Sequence, residues 1–152
     1  MQYFRGLDKE YSNKNNRILK FFGENHQYRK LVEEMRELTI ALQEFSEKNS
    51  KSNIYSIFIK DFYQEQESEN LLSELADCIV LSSQLNEIDL IDMYVSSLLK
   101  YHEVMWINNL SWEPKYKSFE ETLIDKINEI IKFKIDRTIE RYKIPLGDDK
   151  NT

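Results

Sequence analysis

The sequence is poor in the residues that form turns and cross-links. Its 152 residues include three glycines, two prolines and one cysteine. With so few turn-forming residues, the chain is expected to form long helices joined by few loops. A single cysteine excludes a disulfide framework within the chain. Because Cys78 lies in an apolar segment, we predict a core residue there and not a nucleophile.

Long apolar runs are also missing, and basic residues are fewer than acidic ones. No segment reaches membrane-spanning length, and the first residues, MQYFRGLDKEYSNKNN, contain no apolar signal segment. We therefore expect a soluble, cytoplasmic protein with no membrane partner. The net charge of -6 argues against a nucleic-acid partner. It still allows a nucleotide to bind through a metal and a local basic patch.

The positions of the two histidines argue strongly against one class of helical metalloprotein. A ferritin-like di-iron bundle needs Glu-x-x-His pairs. Neither His26 nor His102 has an acidic residue three positions before it. We predict that His26 is an exposed residue at a helix start and that His102 is a core or interface histidine.

Helical periodicity is the main positive signal. Residues 71–85, LLSELADCIVLSSQL, are apolar nearly all round and predict a central helix, while residues 27–45 predict a second helix with an apolar seam. The length fits one domain. We predict an all-α bundle of four to five helices at residues 14–143, between a flexible N-terminal arm (1–13) and a flexible C-terminal tail (144–152).

Several boundaries of these helices can be predicted. Gly23 is placed to end a first helix and Asn25 to cap the second. Residues 54–63 predict a further helix, although their β-branched and aromatic content also permits a strand. Asn86 is the expected cap of a segment that runs to about Asn108.

The C-terminal third of the chain predicts one more helix. Residues 108–117 contain Pro114 and are expected to form a connection, a lid or a subunit contact. Ser118 and Glu121 form a capping box, from which the last helix runs to about Tyr142.

Two pairs of acidic residues stand inside the apolar helices. Glu74 and Asp77 lie one turn apart in the central helix, and Glu34 and Glu37 border the seam of the second. If the two helices lie side by side, four carboxylates converge, which suits Mg²⁺. Such carboxylates repel one another without metal, so Asp77→Asn is expected to leave the metal-free fold at least as stable.

The number of acidic pairs is no evidence for a metal site. The positions of the pairs distinguish the two candidates from the other two. The sequence has four acid-x-x-acid pairs, whereas about five are expected by chance from 27 acidic residues. The other two pairs have structural explanations. Asp89 and Asp92 fit a first helical turn, where acids complement the helix dipole, and 44/47 lies toward a polar helix end.

The last helix ends in a basic segment. Residues 130–143 contain five basic and two acidic residues. Lys134, Arg137 and Arg141, which we call the basic stripe, are spaced so that all three can face one way. Taken alone, these residues are better explained as a solvated helix end, but beside a metal cluster they indicate a polyphosphate ligand.

Two motifs resemble a known family. The segments GENHQYRKLVEEMREL and ENLLSELADCIVL are similar to the MazG-like all-α nucleoside triphosphate pyrophosphatases, whose pattern is E-E-x-x-E on one helix and E-x-x-D on the next. The pattern is matched by Glu33-Glu34-Met35-Arg36-Glu37 and by Glu74-Leu75-Ala76-Asp77. The C-terminal segment KFKIDRTIERYK also resembles the basic helix near the C-terminus of such proteins. The resemblance therefore covers roughly residues 17–143.

The resemblance implies an enzyme and a site. It implies Mg²⁺-dependent hydrolysis, or hydrolysis with Mn²⁺, of a (d)NTP to a (d)NMP and pyrophosphate by a homo-oligomer, either a dimer or a tetramer. The metal ligands would be Glu34, Glu37, Glu74 and Asp77, with Glu33 as a base or a supporting group. Lys134 and Arg137 would bind the phosphates, and Gln27 the base or sugar. Two alternatives stay open: a non-catalytic helical interaction module and a hydrolase of another phosphorylated metabolite.

Overall fold

Every element of the described chain is a helix. The computed structural model describes residues 4–48, 65–104 and 114–147, which form five α-helices and no strand. They are α1 (Lys9–Phe22), α2 (Glu24–Lys48), α3 (Glu65–Leu85), α4 (Ile88–Tyr101) and α5 (Pro114–Tyr142). The predicted all-α bundle of four to five helices is confirmed.

The central helix of the bundle is α3. It packs against each of the other four helices, most extensively against α2 and then against α5. As predicted, Cys78 is completely buried, and burial raises the pKa of its thiol, which disfavours the nucleophilic thiolate. The facing helices contribute apolar stripes at helical spacing: Leu31, Leu38, Leu42 and Phe45 of α2, and Leu123, Ile127, Ile131 and Ile135 of α5.

Part of the predicted N-terminal arm is helical. The first helix begins at Lys9, within the predicted arm, because the carboxylate of Asp8 accepts a hydrogen bond from the backbone N–H of Tyr11 and caps it. On α5, Asp136 accepts a hydrogen bond from the hydroxyl of Tyr11 at 2.7 Å and forms an ion pair with Lys14 at 2.9 Å. Residues 4–13 are therefore attached to the bundle.

The corner between α1 and α2 is formed by Gly23. Its φ is 87°, a conformation that glycine adopts without strain, and its N–H donates to the carbonyl of Leu19. The predicted helix stop is confirmed. The second helix then begins directly at Glu24. Asn25 lies inside it, so the prediction that Asn25 caps this helix is wrong.

Three further boundaries differ from their predictions. Asn86 has a φ of 57° and forms the turn before α4, which Glu87 precedes without a side-chain cap. This helix ends at Tyr101, well before residue 108, because the backbone turns at Glu103 with a φ of 57°. The last helix begins at Pro114, whose missing N–H costs nothing at a first helical position, so residue 118 is interior.

Some predictions fall outside the part of the chain that the structure describes. The predicted helix at 54–63 and most of the 108–117 connection lie there. The predicted tail begins with a residue that belongs to the bundle, because Ile144 is buried and its N–H donates to the carbonyl of Ile139. Among the described helices, none has the length and apolar character needed to cross a membrane.

Candidate metal centre and cleft

Three carboxylates meet where α2 packs against α3. Glu34, Glu74 and Asp77, which we call the acidic cluster, each offer an oxygen within 4.8 Å of the others. All three residues are half-buried. The Oε2 atom of Glu74 is buried and has no hydrogen-bond partner among the described residues. A buried polar atom without a partner is costly, so this oxygen could serve as a ligand to a cation.

Burial and neighbouring groups raise the pKa of two carboxylates of the cluster. The pKa of Glu74 is raised to about 7, first by burial and then by a hydrogen bond with Glu34 and by the charge of Asp77. Burial and the charge of Asp77 also raise the pKa of Glu34. Adjacent carboxylates that cannot all ionise hold a proton between them. A divalent cation could replace that proton.

Two lysines compensate part of this negative charge. Nζ of Lys134 lies 3.0 Å from Oδ1 of Asp77, and Lys134 is buried. Nζ of Lys30 lies 3.5 Å from carboxylate oxygens of both Glu33 and Glu34. Of the three carboxylates, Glu74 alone forms no ion pair with a described residue.

A cleft of about 590 Å³ opens beside the acidic cluster. Its walls come from α1, α2, α3 and α5, and both Glu34 and Asp77 line it. Along α2 the lining residues run from Glu34 back to His26, and along α5 they run from Lys134 to Tyr142. Eight helical residues rise about 12 Å, so the cleft extends well away from the cluster.

The section of the cleft next to the acidic cluster is basic. Lys134 and Arg137 of the basic stripe line this section, and α2 adds Arg29 and Lys30. Arg141 lines the same cleft but lies about 10 Å farther along α5, next to Tyr142. No ion pair between described residues involves Arg29, Arg137 or Arg141. The guanidinium of Arg137 lies 5.6 Å from the ring centroid of Phe133, which leaves its N–H groups available. These arginines can bind an anion.

The far end of the cleft is aromatic. The rings of Phe22 and His26 are stacked with centroids 4.8 Å apart, and Tyr142 meets Phe22 edge to face at 4.9 Å. All three residues line the cleft. Sequence reasoning missed this end, since it joins residues from three separate helices. The glycine corner at residue 23, which brings the ends of α1 and α2 together, was the available signal.

The predicted site residues are distributed unevenly. Three of the four predicted metal ligands come together in the acidic cluster, whereas Glu37 is exposed and lies outside it. Glu33 is exposed at the edge of the cleft. Gln27 also lines the cleft but is buried, and both ends of its amide are engaged, by Gln84 and by His26. Lys30 was missed, although it precedes Glu34 by one helical turn.

The residues of the acidic cluster fit a hard divalent cation. Mg²⁺ holds oxygen ligands at about 2.1 Å, so two oxygens on one ion lie at most about 4.2 Å apart. The cluster oxygens lie within 4.8 Å of one another, and side-chain shifts of less than about 1 Å would bring them onto one ion. An all-carboxylate donor set suits Mg²⁺ or Mn²⁺.

The fold and the site together define an all-α bundle with an acidic cluster at one end of a basic and aromatic cleft. Comparisons with protein-family models, with curated proteins and with solved structures found no match to this chain. The function is therefore argued from the residues of the site.

Proposed function

We propose that this protein is a Mg²⁺-dependent nucleoside triphosphate pyrophosphohydrolase that converts a (d)NTP to a (d)NMP and pyrophosphate. The observation that supports the proposal is the order of chemistry along the cleft: acidic cluster, basic section, aromatic end. A nucleoside triphosphate has the matching order, from a metal-binding polyphosphate to an aromatic base. The proposal agrees with the resemblance of the two acidic motifs to the MazG-like pyrophosphatases.

The metal would be held by the acidic cluster. Glu34, Glu74 and Asp77 supply its oxygens, and the unpartnered Oε2 of Glu74 is the atom most in need of a cation. Mg²⁺, or Mn²⁺ in its place, would supply charge neutralisation at the phosphates and help to activate water. Glu37 stays a predicted ligand without a position in the cluster.

The other cleft residues would bind and orient the substrate. Arg137 and Arg141 can donate charge-assisted hydrogen bonds to phosphate oxygens, which are stronger than neutral ones. Lys134 is paired with Asp77 and so offsets negative charge at the end of the cleft where the phosphates would lie. Glu33, at the cleft edge, is the candidate acceptor for the proton of the attacking water.

One observation favours a second candidate function. The ion pair between Lys134 and Asp77 already neutralises one member of the acidic cluster without a metal. A non-catalytic helical interaction module would need nothing more at this position. A hydrolase of another phosphorylated metabolite would use the same acidic and basic sections and would differ in what the aromatic end holds.

Product analysis tests the proposal. The purified protein is incubated with each common (d)NTP and Mg²⁺, and the products are separated by ion-exchange chromatography. We expect a (d)NMP and pyrophosphate in equal amounts from at least one substrate. Glu74→Gln should abolish the activity, while Glu44→Gln, at an exposed position of α2 outside the cleft, should retain it. Release of single phosphates, or no turnover of any substrate, would contradict the proposal.

A further inference from the structure

Four polar groups connect the core of the bundle to the aromatic end of the cleft. The side-chain amide of Asn15 donates to the backbone carbonyl of Val80 at 3.0 Å. Asn15 Oδ1 accepts from Gln84 Nε2 at 2.7 Å, and Gln84 Oε1 accepts from Gln27 Nε2 at 2.7 Å. Gln27 Oε1 then lies 2.7 Å from Nδ1 of His26. We call the three amides, Asn15, Gln84 and Gln27, the amide relay.

The direction of the amide relay is determined at its buried end. The carbonyl of Val80 can only accept, so the NH₂ group of Asn15 must face it. The oxygen of Asn15 must then face Gln84, and the same requirement passes on to Gln27. Reversing any one amide would set two oxygens or two NH₂ groups against each other. All three amides are at least nine-tenths buried, where such a mismatch is costly.

The outer end of the amide relay therefore decides the tautomer of His26. Gln27 presents an oxygen to the imidazole, and an oxygen requires a donor. Nδ1 must hold the proton, which leaves Nε2 of the neutral ring as an acceptor. The ring lines the cleft, and its Nε2 forms no hydrogen bond with any residue that the structure describes.

We propose that His26 is a substrate-recognition residue, held by the amide relay in the Nδ1–H tautomer so that Nε2 accepts a hydrogen bond from an N–H donor of a nucleobase. Its substrate contact rests on the proposed function, whereas its tautomer does not. Stacking on Phe22 restricts the ring, and the neighbouring Tyr142 adds an aromatic wall suited to a planar base. Asn15, Gln84 and Gln27 are positioning residues.

The tautomer can be read directly by nuclear magnetic resonance. Long-range ¹H–¹⁵N spectra distinguish a protonated ring nitrogen from an unprotonated one, and they are recorded at about pH 8, where an ordinary imidazole is neutral. The chain has only two histidines, and a His102→Asn variant assigns the signals. We expect His26 to show a protonated Nδ1 and an unprotonated Nε2. A protonated Nε2 would overturn the proposal.

Two variants test whether the relay determines that tautomer. Asn15→Leu removes the buried end of the relay and leaves Gln84, Gln27 and His26 unchanged. Gln84→Met removes the middle of the relay. In each, the amides lose their anchor and can reverse, so we expect His26 to populate both tautomers. Gln43→Met, at an exposed glutamine of α2, should change nothing. Circular dichroism confirms folding, and an unchanged tautomer in both folded relay variants would overturn the relay.

The substrate contact is tested with nucleotides that cannot be cleaved. Mg²⁺ and the α,β-methylene analogues of ATP, GTP, CTP and UTP are titrated in turn, and binding is measured by calorimetry. We expect the tightest analogue to shift the Nε2 signal of His26, and His26→Ala to weaken its binding about tenfold. Binding without either effect overturns the contact and leaves the proposed function intact. Failure of all four analogues to bind overturns both the substrate contact and the proposed function. The tautomer of His26 in the free protein then still tests whether the amide relay determines it.

Discussion

Nζ of Lys134 lies 3.0 Å from Oδ1 of Asp77, and this ion pair joins α5 to α3 at the edge of the acidic cluster. Only 9% of Lys134 is exposed, so the lysine depends on this carboxylate for compensation. The pair reverses one expectation from the sequence. Removing the charge of Asp77 relieves repulsion among carboxylates but leaves a buried ammonium without its partner.

We therefore predict that Asp77→Asn destabilises the metal-free protein. The unpaired Lys134 should lower the free energy of unfolding by about 1–3 kcal/mol, which is the usual cost of losing a charge-assisted contact at a partly buried site. Urea denaturation with a chelator present measures this, with Glu44→Gln as the control. Adding Lys134→Met to Asp77→Asn should restore most of the loss, because the buried ammonium is then removed together with its partner. An equal or higher stability of Asp77→Asn would contradict the prediction.

Mg²⁺ should stabilise the protein through the acidic cluster. A ligand at a hundredfold excess over its dissociation constant adds about 2.7 kcal/mol, or roughly 5–10 °C in the melting temperature of a domain of this size. We expect that rise in the wild type and a much smaller one in Glu74→Gln and Asp77→Asn. Differential scanning fluorimetry in millimolar Mg²⁺ and in chelator compares the three proteins. Equal Mg²⁺-induced shifts in the melting temperatures of all three proteins would contradict the metal site.

A variant at Glu37 tests whether the metal site has three carboxylate ligands or four. Since Glu37 is exposed and lies outside the acidic cluster, Glu37→Gln should keep the full Mg²⁺-induced rise in melting temperature. Loss of that rise would show that the fourth carboxylate predicted from the motif moves into the site when metal binds. The same fluorimetric comparison measures it.

The stability of the metal-free protein should fall as the pH rises from about 4.5 to about 7. The pKa of Glu74 is about 7 in the fold and 4.5 in an unperturbed glutamate. The folded state therefore binds more protons in this interval, and stability present below it is lost as Glu74 ionises. Glu74→Gln has no proton to lose, so its melting temperature should depend less on pH and exceed that of the wild type at about pH 8. Parallel melting curves across the pH range would contradict this explanation.

Arg137→Ala should weaken turnover without affecting metal binding. Loss of a charge-assisted phosphate contact is expected to reduce kcat/KM by about 10- to 100-fold. The Mg²⁺-induced rise in melting temperature should persist, because Arg137 is not a member of the acidic cluster. Lys126→Ala, at an exposed position of α5 outside the cleft, is the matched control. Unchanged steady-state kinetics would remove Arg137 from the substrate site.

The outer face of α4 is our candidate for the expected homo-oligomer contact. Met93 is 64% exposed and Tyr101 is 81% exposed, and exposed apolar side chains favour association. Met93→Glu and Tyr101→Glu should each shift the protein toward a monomer, because a buried unpaired carboxylate is costly. Light scattering at micromolar concentration measures the mass, with Phe133→Glu on α5 as the control. A monomeric wild type would contradict the prediction.

The elements of the fold were more predictable than their ends. The apolar period of α3 and the seam of α2 follow from local sequence, since burial of a helical face requires that spacing. Boundaries depend on backbone geometry that competes with side-chain signals. Asn86 is an ordinary cap residue by type, yet it occupies a left-handed turn, and Pro114 starts a helix that it was expected to precede.

By itself, the sequence determined the helical class, the burial of Cys78, the spacing of the basic stripe and two acidic pairs embedded in apolar helices. Only the tertiary structure decided which carboxylates share a site, because residues distant along the chain meet only when α2 and α3 pack. It also brought Lys134 to Asp77 and placed Asn15, Gln84 and Gln27 in one hydrogen-bond relay that ends at His26. No local pattern specifies such contacts, since each depends on the relative position and rotation of separate helices.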